Sequence, residues 1–488
     1  MRRNHILYFI AALFITACSN TKKLPADEAL YTGASVKIED SLLSAKKKKS
    51  LRSDLSSLTR PRPNKKFLGI RFKLFAYNLA GNPKKENSPA GWLKNKVGEP
   101  PVLLSEVSLD RNIKILQSTL ENRGYFNANV QGDTVVKNKK ATAVYTVRPG
   151  IQYMINEIRF INDSSSLQKT VSESSAQTLL KTGDPFDLSL IKDERERIDA
   201  YVKERGFFYF DPDFIIIQAD STISDHKVNL YVKVKPNTPD ESRELYRINN
   251  VYILTNYRLN SAAVDTLKKD AEYYKGYYVV DKRHLYKPRM FSQSMQFDPG
   301  DVYSRTDHTK TISRLINLGV FKFVKNRFEV VPVVDTPKLN VYYYLTPLPK
   351  KSIRAEINAS TKSNNLTGSS LTVGWRNRNT FRGGELFSVD ATGGFEVQFS
   401  GQSKGYNTYR AGIETNLVFP RFLTPFFTIN TKGGYVPRTK LMLSYDILTK
   451  RKLYTMNSFR AGFGYLWKEN TRVEHQFNPL RSPMCSHY

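Results

Sequence analysis

Two cysteines and six histidines are the residues of this 488-residue chain that most often do covalent or metal chemistry. Cys18 ends an apolar leader, and Cys485 lies near the opposite end of the chain. The histidines are scattered: His226, His284 and His308 have no metal-ligand spacing, and we expect each to be a surface or loop residue. The sequence contains no G-x-S-x-G, H-E-x-x-H, C-x-x-C or G-x-x-x-x-G-K-[ST] motif, so it predicts no catalytic residue, cofactor or metal site. We therefore expect a protein that is not an enzyme.

The leader has the layout of a secretory signal peptide. Arg2 and Arg3 precede a run of ten apolar or aromatic residues that ends at Ile15, and small residues follow. At about 1.5 Å per residue this run is roughly 15 Å long, half of a hydrocarbon core of about 30 Å. It is therefore too short to be a membrane-spanning helix.

The four residues Ile15-Thr16-Ala17-Cys18 resemble the lipobox of bacterial lipoproteins. The resemblance implies cleavage of residues 1–17 and attachment of acyl chains, such as palmitate, to Cys18. Each buried CH₂ contributes about 0.8 kcal/mol, so several acyl chains anchor a protein stably. Ser19, in place of an aspartate, implies passage to the outer membrane. The alternative is an ordinary signal peptide with a chance cysteine.

The formal net charge of +30 raises the question of a polyanionic partner. The basic residues are dispersed, with clusters such as Lys46 to Lys49 in polar segments. Because an exported lipoprotein does not meet nucleic acid, we interpret the charge as a solvated basic surface and expect no nucleic-acid partner. Attraction to anionic lipid headgroups, at about 1 kcal/mol per basic residue near the surface, is the alternative. With Cys18 lipidated, only Cys485 remains and no intramolecular disulfide can form.

A pattern of an amphipathic helix, a glycine with aromatic residues and a hairpin ending in apolar-x-Pro occurs three times. The helices of the repeats read "SLDRNIKILQSTLENRGYF", "SLIKDERERIDAYVKERGFFYF" and "RTDHTKTISRLINLGVFKF". Their apolar residues recur at helical spacing, and each helix is predicted to end at a glycine: Gly124, Gly206 and Gly319. The acidic run Asp193 to Glu196 on the second helix is expected to face solvent.

The closing strands alternate with period two. They read "KKATAVYTVRP", "HKVNLYVKVKP" and "PKLNVYYYLTP". Copies two and three are preceded by another strand, "YMINEIRFI" and "LYRINNVYIL", so each unit reads strand, helices, strand, strand. The first copy is atypical, with a lysine-rich helix and the insertion "FLGIRFKLFAYNLAG".

This order, with the "GYF" or "GFF" turn before a hairpin, resembles the POTRA domain of the BamA/TamA superfamily of outer-membrane proteins. After Pro349 the helical period disappears, and long strands follow with one apolar face, as in "YRAGIETNLVF" and "SFRAGFGYLW". The sequence therefore predicts α+β POTRA repeats followed by the N-terminal part of an antiparallel transmembrane β-barrel. The predicted segments are a signal peptide at 1–17, a linker at 18–28, an atypical POTRA-like domain at 29–149, POTRA-like domains at 150–239 and 240–349, and a partial barrel at 350–488.

The resemblance, with Cys18, implies the lipidated TamA-like branch and an anchored factor that assists the insertion, assembly or translocation of outer-membrane proteins. Its POTRA domains would lie in the periplasm and bind unfolded outer-membrane clients by strand addition. Further implied partners are outer-membrane lipid and a TamB-like periplasm-spanning protein. The alternative is a two-partner-type polypeptide secretion pore, which shares the architecture but has fewer POTRA units and no lipid anchor.

The end of the chain departs from the family pattern. About six to eight candidate strands precede Tyr488, fewer than a complete family barrel has. The alternation then stops in "RSPMCSHY", which includes Pro483. We therefore expect no strand over these last residues, and we expect a truncated or frame-shifted product that cannot form a working barrel alone.

Overall fold

The computed structural model describes residues 21, 23–25, 27–67, 69–83, 85–86, 88–223, 225–257, 271–331, 336–362, 366–398, 407–424, 426, 429, 431 and 433–487. The predicted leader and Cys18 lie outside these residues. The chain divides into two compact units, each made of several segments. One contains the residues up to Ser164, Val171–Arg197 and Ile215–Lys235; the other contains Ser165–Thr170, Ile198–Phe214 and the chain from Pro236 onward.

The first repeat is a three-stranded sheet packed against helices. Its elements are β1 (Leu30–Ile38), α1 (Ala45–Leu58), α2 (Phe72–Ala80), α3 (Pro89–Trp92) with a π-helical turn (Leu93–Val97), α4 (Leu109–Glu121), β2 (Asn129–Lys137) and β3 (Lys140–Arg148). The strand order is β1-β3-β2, with β1 parallel and β2 antiparallel to β3. Fully buried Leu55 of α1 and Leu116 and Leu120 of α4 pack in one core with Tyr145 of β3. The Ser108 side chain accepts a hydrogen bond from the Arg111 amide and caps α4, as expected for serine at this position.

The second repeat has the same strand order. Its elements are β4 (Met154–Phe160), α5 (Ser166–Glu173), α6 (Leu188–Lys203), β5 (Ile215–Asp220) and β6 (Lys227–Val234), and the order is β4-β6-β5. The alternating residues Val228, Leu230 and Val232 of the central strand β6 are fully buried. The sequence therefore predicted the core-facing side of β6.

The third repeat adds two strands to this plan. Its elements are β7 (Arg247–Leu254), β8 (Glu272–Tyr274), β9 (Tyr277–Val280), α7 (Pro288–Ser292), α8 (Arg305–Asn317), β10 (Phe321–Val331) and β11 (Lys338–Pro347). The order is β10-β11-β7-β9-β8. The short hairpin of β8 and β9, which the sequence did not predict, pairs with the outer side of β7. The repeat therefore has a five-stranded sheet.

The chain continues into a seven-stranded antiparallel sheet in sequential order. The strands are β12 (Lys351–Thr361), β13 (Leu366–Asn377), β14 (Leu386–Gln398), β15 (Thr408–Phe419), β16 (Arg438–Lys450), β17 (Tyr454–Lys468) and β18 (Glu474–His487). The register places Ala391 beside Ile413 and Ile413 beside Tyr445, so the predicted apolar residues share one face. Many large apolar side chains on this face are exposed, including Ile353 and Ile357 at 76% each. The sheet is consistent with part of a β-barrel, as predicted. No helix in the described ranges is long and apolar enough to cross a bilayer.

The prediction that no strand forms over the last residues is wrong. β18 continues to His487, and Pro483 pairs with Arg460 of β17. Among the described strands β18 has one neighbour, so a proline at this position needs no second hydrogen-bonded partner. Pro479 is likewise tolerated because it lies in a register shift opposite Gly464.

Two predictions about polar residues also need correction. Glu194 of the acidic run is completely buried, whereas Asp193 and Glu196 face solvent as expected. His308 lies half-buried on α8, whereas His226 and His284 lie in turns with positive φ. In both errors a tertiary hydrogen bond holds the side chain, and no local pattern reports such a bond. The three helix-ending glycines do adopt positive φ values of 83°, 102° and 71°, which confirms their predicted role.

Candidate functional site

The edges of the three repeat sheets are the surfaces on which another chain could add a strand. In each repeat the closing strand pairs with a strand on either side. The opening strand forms one edge in the first two repeats and is flanked by the β8–β9 hairpin in the third, and the strand between the helices and the closing strand forms the other edge. An edge strand presents unpaired backbone N–H and C=O groups that can template a further strand. The two sides of each sheet differ in how many of these backbone groups already have hydrogen-bond partners.

A short turn covers the opening strand in the second and third repeats. Ile155 donates its N–H to the Asp184 carbonyl at 2.8 Å and accepts from the Gly183 N–H at 2.8 Å. Ile248 makes the same two bonds with Asp301 and Gly300, at 2.8 and 2.7 Å. The two turns read "GDPF" and "GDVY", a short repeat that the sequence analysis missed although the letters show it.

The first repeat covers the same edge with a different segment. Tyr31 donates its N–H to the Val102 carbonyl at 2.8 Å, and Leu104 donates to the Ala29 carbonyl at 2.9 Å. In the third repeat, β9 additionally pairs with β7 from Val251 to Leu254. The opening edges are therefore partly or wholly closed in all three repeats.

The opposite edges are open along the described chain. They belong to β2, β5 and β10, which are 9, 6 and 11 residues long, and no other described strand pairs with their outer sides. β10 is the longest of the three and exceeds the typical strand of about 5–6 residues. We therefore place the candidate site on the outer edge of β10, with β5 as a shorter equivalent.

The hydrogen bonds of β11 determine which groups of β10 point outward. Leu345 of β11 accepts a bond from the Tyr257 amide on the β7 side, so the odd-numbered residues of β11 face away from β10. The even-numbered residues face β10, where Thr346 pairs with Phe323 and Tyr342 with Arg327. The N–H and C=O groups of the intervening residues of β10 consequently point to the open edge. These residues are Val324, Asn326, Phe328 and Val330.

Side chains on the two faces of β10 have different environments. Val324 and Phe328 pack against the core of the third repeat. On the other face Phe323 is 61% exposed, and Lys325 and Arg327 are also exposed. Arg327 forms a 3.1 Å ion pair with Glu329, so this face presents an aromatic ring and alternating charges to an added strand.

A half-buried histidine holds the middle of β10 to helix α8. The Asn326 side-chain amide donates to His308 Nε2 at 2.7 Å. The neutral ring then carries its proton on Nδ1, which lies 3.2 Å from the Tyr303 hydroxyl. Burial lowers the pKa of His308, and Arg305 adds to this effect, so the neutral ring is favoured.

Hydrogen bonds join the third repeat to the C-terminal sheet within one compact unit. Arg314 of α8 is 5% exposed and donates to the Thr431 and Gly433 carbonyls at 2.9 and 2.8 Å. It also donates to the Gln293 carbonyl at 2.9 Å. On the neighbouring turn, Asn379 donates to the Leu285 carbonyl at 2.8 Å. The edge strand β10 therefore belongs to a repeat that is hydrogen-bonded to the C-terminal sheet.

The predicted lipidation site, Cys18, lies outside the described residues, so the structure does not place it. Among the described residues, no group of three or more His, Cys, Asp or Glu side chains could hold a metal ion. The sequence did not locate the open edge either, because strand order depends on tertiary pairing. The fold defines the architecture of the protein: tandem strand-helix-strand-strand repeats followed by an antiparallel sheet.

Comparison with known proteins identifies the repeat. Residues 153–237 match the POTRA family, described as the surface antigen variable number repeat. The chain thus contains the predicted POTRA repeat. A search of curated proteins finds no match.

A comparison with solved structures finds matches of low sequence identity and low TM-score. POTRA3–5 of BamA from Haemophilus influenzae is 15% identical with a TM-score of 0.32, and the match covers 66% of this chain and 99% of that one. BamA from Haemophilus ducreyi lacking POTRA domains 1–3 is 14% identical with a TM-score of 0.35, covering 66% and 60%. CdiB from Acinetobacter baumannii is 10% identical with a TM-score of 0.22, covering 69% and 64%. These low values say nothing of what this chain binds.

Proposed function

We propose that this chain assists the assembly or translocation of outer-membrane proteins by binding unfolded client strands along the outer edge of β10. The observation that carries the proposal is the asymmetry of the repeats. Turns, a loop segment or the β8–β9 hairpin cover the opening strands, whereas no described strand pairs with the outer side of the 11-residue strand β10. A client would pair with the groups of β10 that have no strand partner.

Main-chain pairing suits a binding partner whose sequence varies. Strand addition derives its affinity from backbone hydrogen bonds and its selectivity from alternate side chains. Four residues of β10 direct their backbone groups outward, and the solvent-facing Phe323 can contact an apolar client residue. Strands of outer-membrane proteins alternate apolar and polar residues, which is the pattern that such an edge accommodates.

We also propose the finer features that the sequence predicts. Lipidation of Cys18 would anchor the chain to the outer membrane, with the POTRA repeats in the periplasm. The apolar face of the C-terminal sheet would contact outer-membrane lipid. A TamB-like periplasm-spanning protein is the proposed partner, as in the TamA-like branch that the leader resembles.

Replacement of Val330 by proline tests the binding edge. Val330 is 42% exposed and its N–H points outward, so Val330→Pro removes a donor from the open edge without removing a bond to β11. A lost backbone bond of about 1 kcal/mol corresponds to a roughly five-fold weaker affinity, and the ring adds a steric clash with the incoming strand. Fluorescence anisotropy of a labelled, unfolded barrel-strand peptide with the full chain in detergent measures this change.

Val330→Ala is the matched control, because it shortens the side chain and keeps the N–H. We expect its affinity to equal that of the wild type, and both variants should keep the wild-type circular dichroism. Equal peptide binding by the proline and alanine variants would show that clients do not add to this edge.

A further inference from the structure

The first repeat contains a buried arginine, Arg71, two of whose guanidinium nitrogens have no hydrogen-bond partner among the described residues. Arg71, just before α2, is 8% exposed, and its Nε and Nη2 atoms are buried without a hydrogen-bond partner in the described structure. A buried cation that is neither paired nor hydrogen-bonded is costly, and native proteins rarely keep one without a reason. Burial also lowers the pKa of Arg71, although a guanidinium stays charged at neutral pH.

Arg71 lines a cavity of about 430 Å³ whose other charged lining residues are all basic. Lys66 lies in the segment before Arg71, while Lys137 and Lys140 flank the turn of the β2–β3 hairpin. The lining includes no carboxylate, and no ion pair of these four cations occurs among the described residues. Four like charges around one cavity repel one another unless an anion lies between them.

The cavity lies on the face of the sheet opposite α1 and α4. On β3, Ala143 and Tyr145 face the core beneath α1 and α4, and Thr142 lies on the other face. The hydroxyls of Thr142 and Thr32 are 2.8 Å apart at the cavity wall, and Thr32 donates to the Ala141 carbonyl at 2.9 Å. Hydroxyls and cations therefore line the same cavity, whose volume is within the range of about 300–1,000 Å³ that is usual for small-ligand sites.

We propose that this cavity binds a phosphate-bearing anion, with the Arg71 guanidinium as a two-pronged donor and Lys66, Lys137 and Lys140 as surrounding charges. Arg presents parallel N–H donors whose geometry matches phosphate oxygens, and lysines act as point charges around them. The ligand is either a membrane lipid with a phosphate headgroup or free phosphate. The two share the recognised group and differ in the glycerol and acyl parts.

Isothermal titration calorimetry of the full chain in an amphipathic polymer tests the proposal with three probes. The probes are inorganic phosphate, short-chain phosphatidylglycerol and short-chain phosphatidylcholine. Tighter binding of phosphatidylglycerol than of inorganic phosphate assigns the site to an anionic lipid headgroup. Binding of inorganic phosphate with equal or greater affinity assigns it to free phosphate. Absence of binding by all three probes overturns the proposal.

Matched variants separate a built site from general charge attraction. Arg71→Gln should weaken binding at least roughly ten-fold, because it removes charged hydrogen bonds. Should this variant misfold, the exposed pair Lys137→Gln/Lys140→Gln gives the same test without altering the core. The control is Lys46→Gln/Lys47→Gln on the exposed surface of α1, which lowers the net charge equally. An equal loss of affinity in the control and in the cavity variants overturns the proposal.

Discussion

Replacement of Arg314 by methionine should loosen the turn that fastens the C-terminal sheet to the third repeat. Arg314 is 5% exposed and donates to the carbonyls of Thr431 and Gly433. Hydrogen bonds to charged groups contribute about 1.5–3 kcal/mol each, so the loss of two costs at least about 3 kcal/mol. Methionine fills a similar volume, so the change removes the bonds and leaves little cavity.

Amide hydrogen exchange reports this loss directly. Exchange rates of native amides follow the free energy of local opening, and about 3 kcal/mol corresponds to a roughly 150-fold change. We expect the amides of residues 433–436 to exchange faster by about this factor in Arg314→Met, whereas those in the middle of β15 keep their wild-type rates.

Lys310→Met on the same helix is the control. Lys310 is partly exposed and lies 3.6 Å from Asp307, an ion pair worth about 0–1 kcal/mol. Its variant should change the exchange of residues 433–436 by less than about five-fold. If Arg314→Met behaves like Lys310→Met, the buried arginine does not hold this turn and the reasoning is wrong.

Three further predictions concern the stability of the repeats. Glu194→Gln should destabilise the second repeat by about 3 kcal/mol in urea unfolding, because it leaves Arg197, whose side chain is 16% exposed, without its charged partner. An equal effect of the solvent-facing Glu196→Gln would contradict this. Gly206→Ala should lower the melting temperature more than Gly319→Ala does. Both glycines have positive φ, but a Cβ at Gly206 would lie 2.9 Å from two side chains, whereas a Cβ at Gly319 would meet nothing within 4 Å. Burial lowers the pKa of His308, so the folded third repeat binds a proton at His308 less readily than the unfolded chain does. Stability should therefore fall as the pH drops below about 6.5, and His308→Gln should flatten that part of the pH profile. An unchanged profile in this variant would refute the role given to His308.

Local patterns predicted the elements of each repeat because local interactions form them. The alternation over Leu339, Val341, Tyr343 and Leu345 identified a strand, and all four side chains are fully buried. Each helix-ending glycine was recognisable because only a residue without Cβ adopts positive φ easily. The same alternation predicted the apolar face of the C-terminal sheet.

Features that depend on distant partners were not predictable in this way. Glu194 is buried because Thr178, Leu179 and Arg197 donate to its carboxylate, and two of these partners lie well before it in the chain. The hairpin of β8 and β9 is too short for periodicity to detect, with strands of 3 and 4 residues. β18 continues through prolines because of where it lies in the sheet, which its sequence does not reveal. Arg71 likewise gave no local signal of its burial.

Single-residue amide exchange of β10 with and without an unfolded barrel-strand peptide tests the central claim most directly. The N–H groups of Val324, Asn326, Phe328 and Val330 point to the open edge, whereas those of the alternate residues already face β11. The account predicts that the peptide slows exchange at these four amides and leaves the alternate residues Lys325, Arg327 and Glu329 unchanged. Unchanged exchange at the four outward amides under saturating peptide would contradict it.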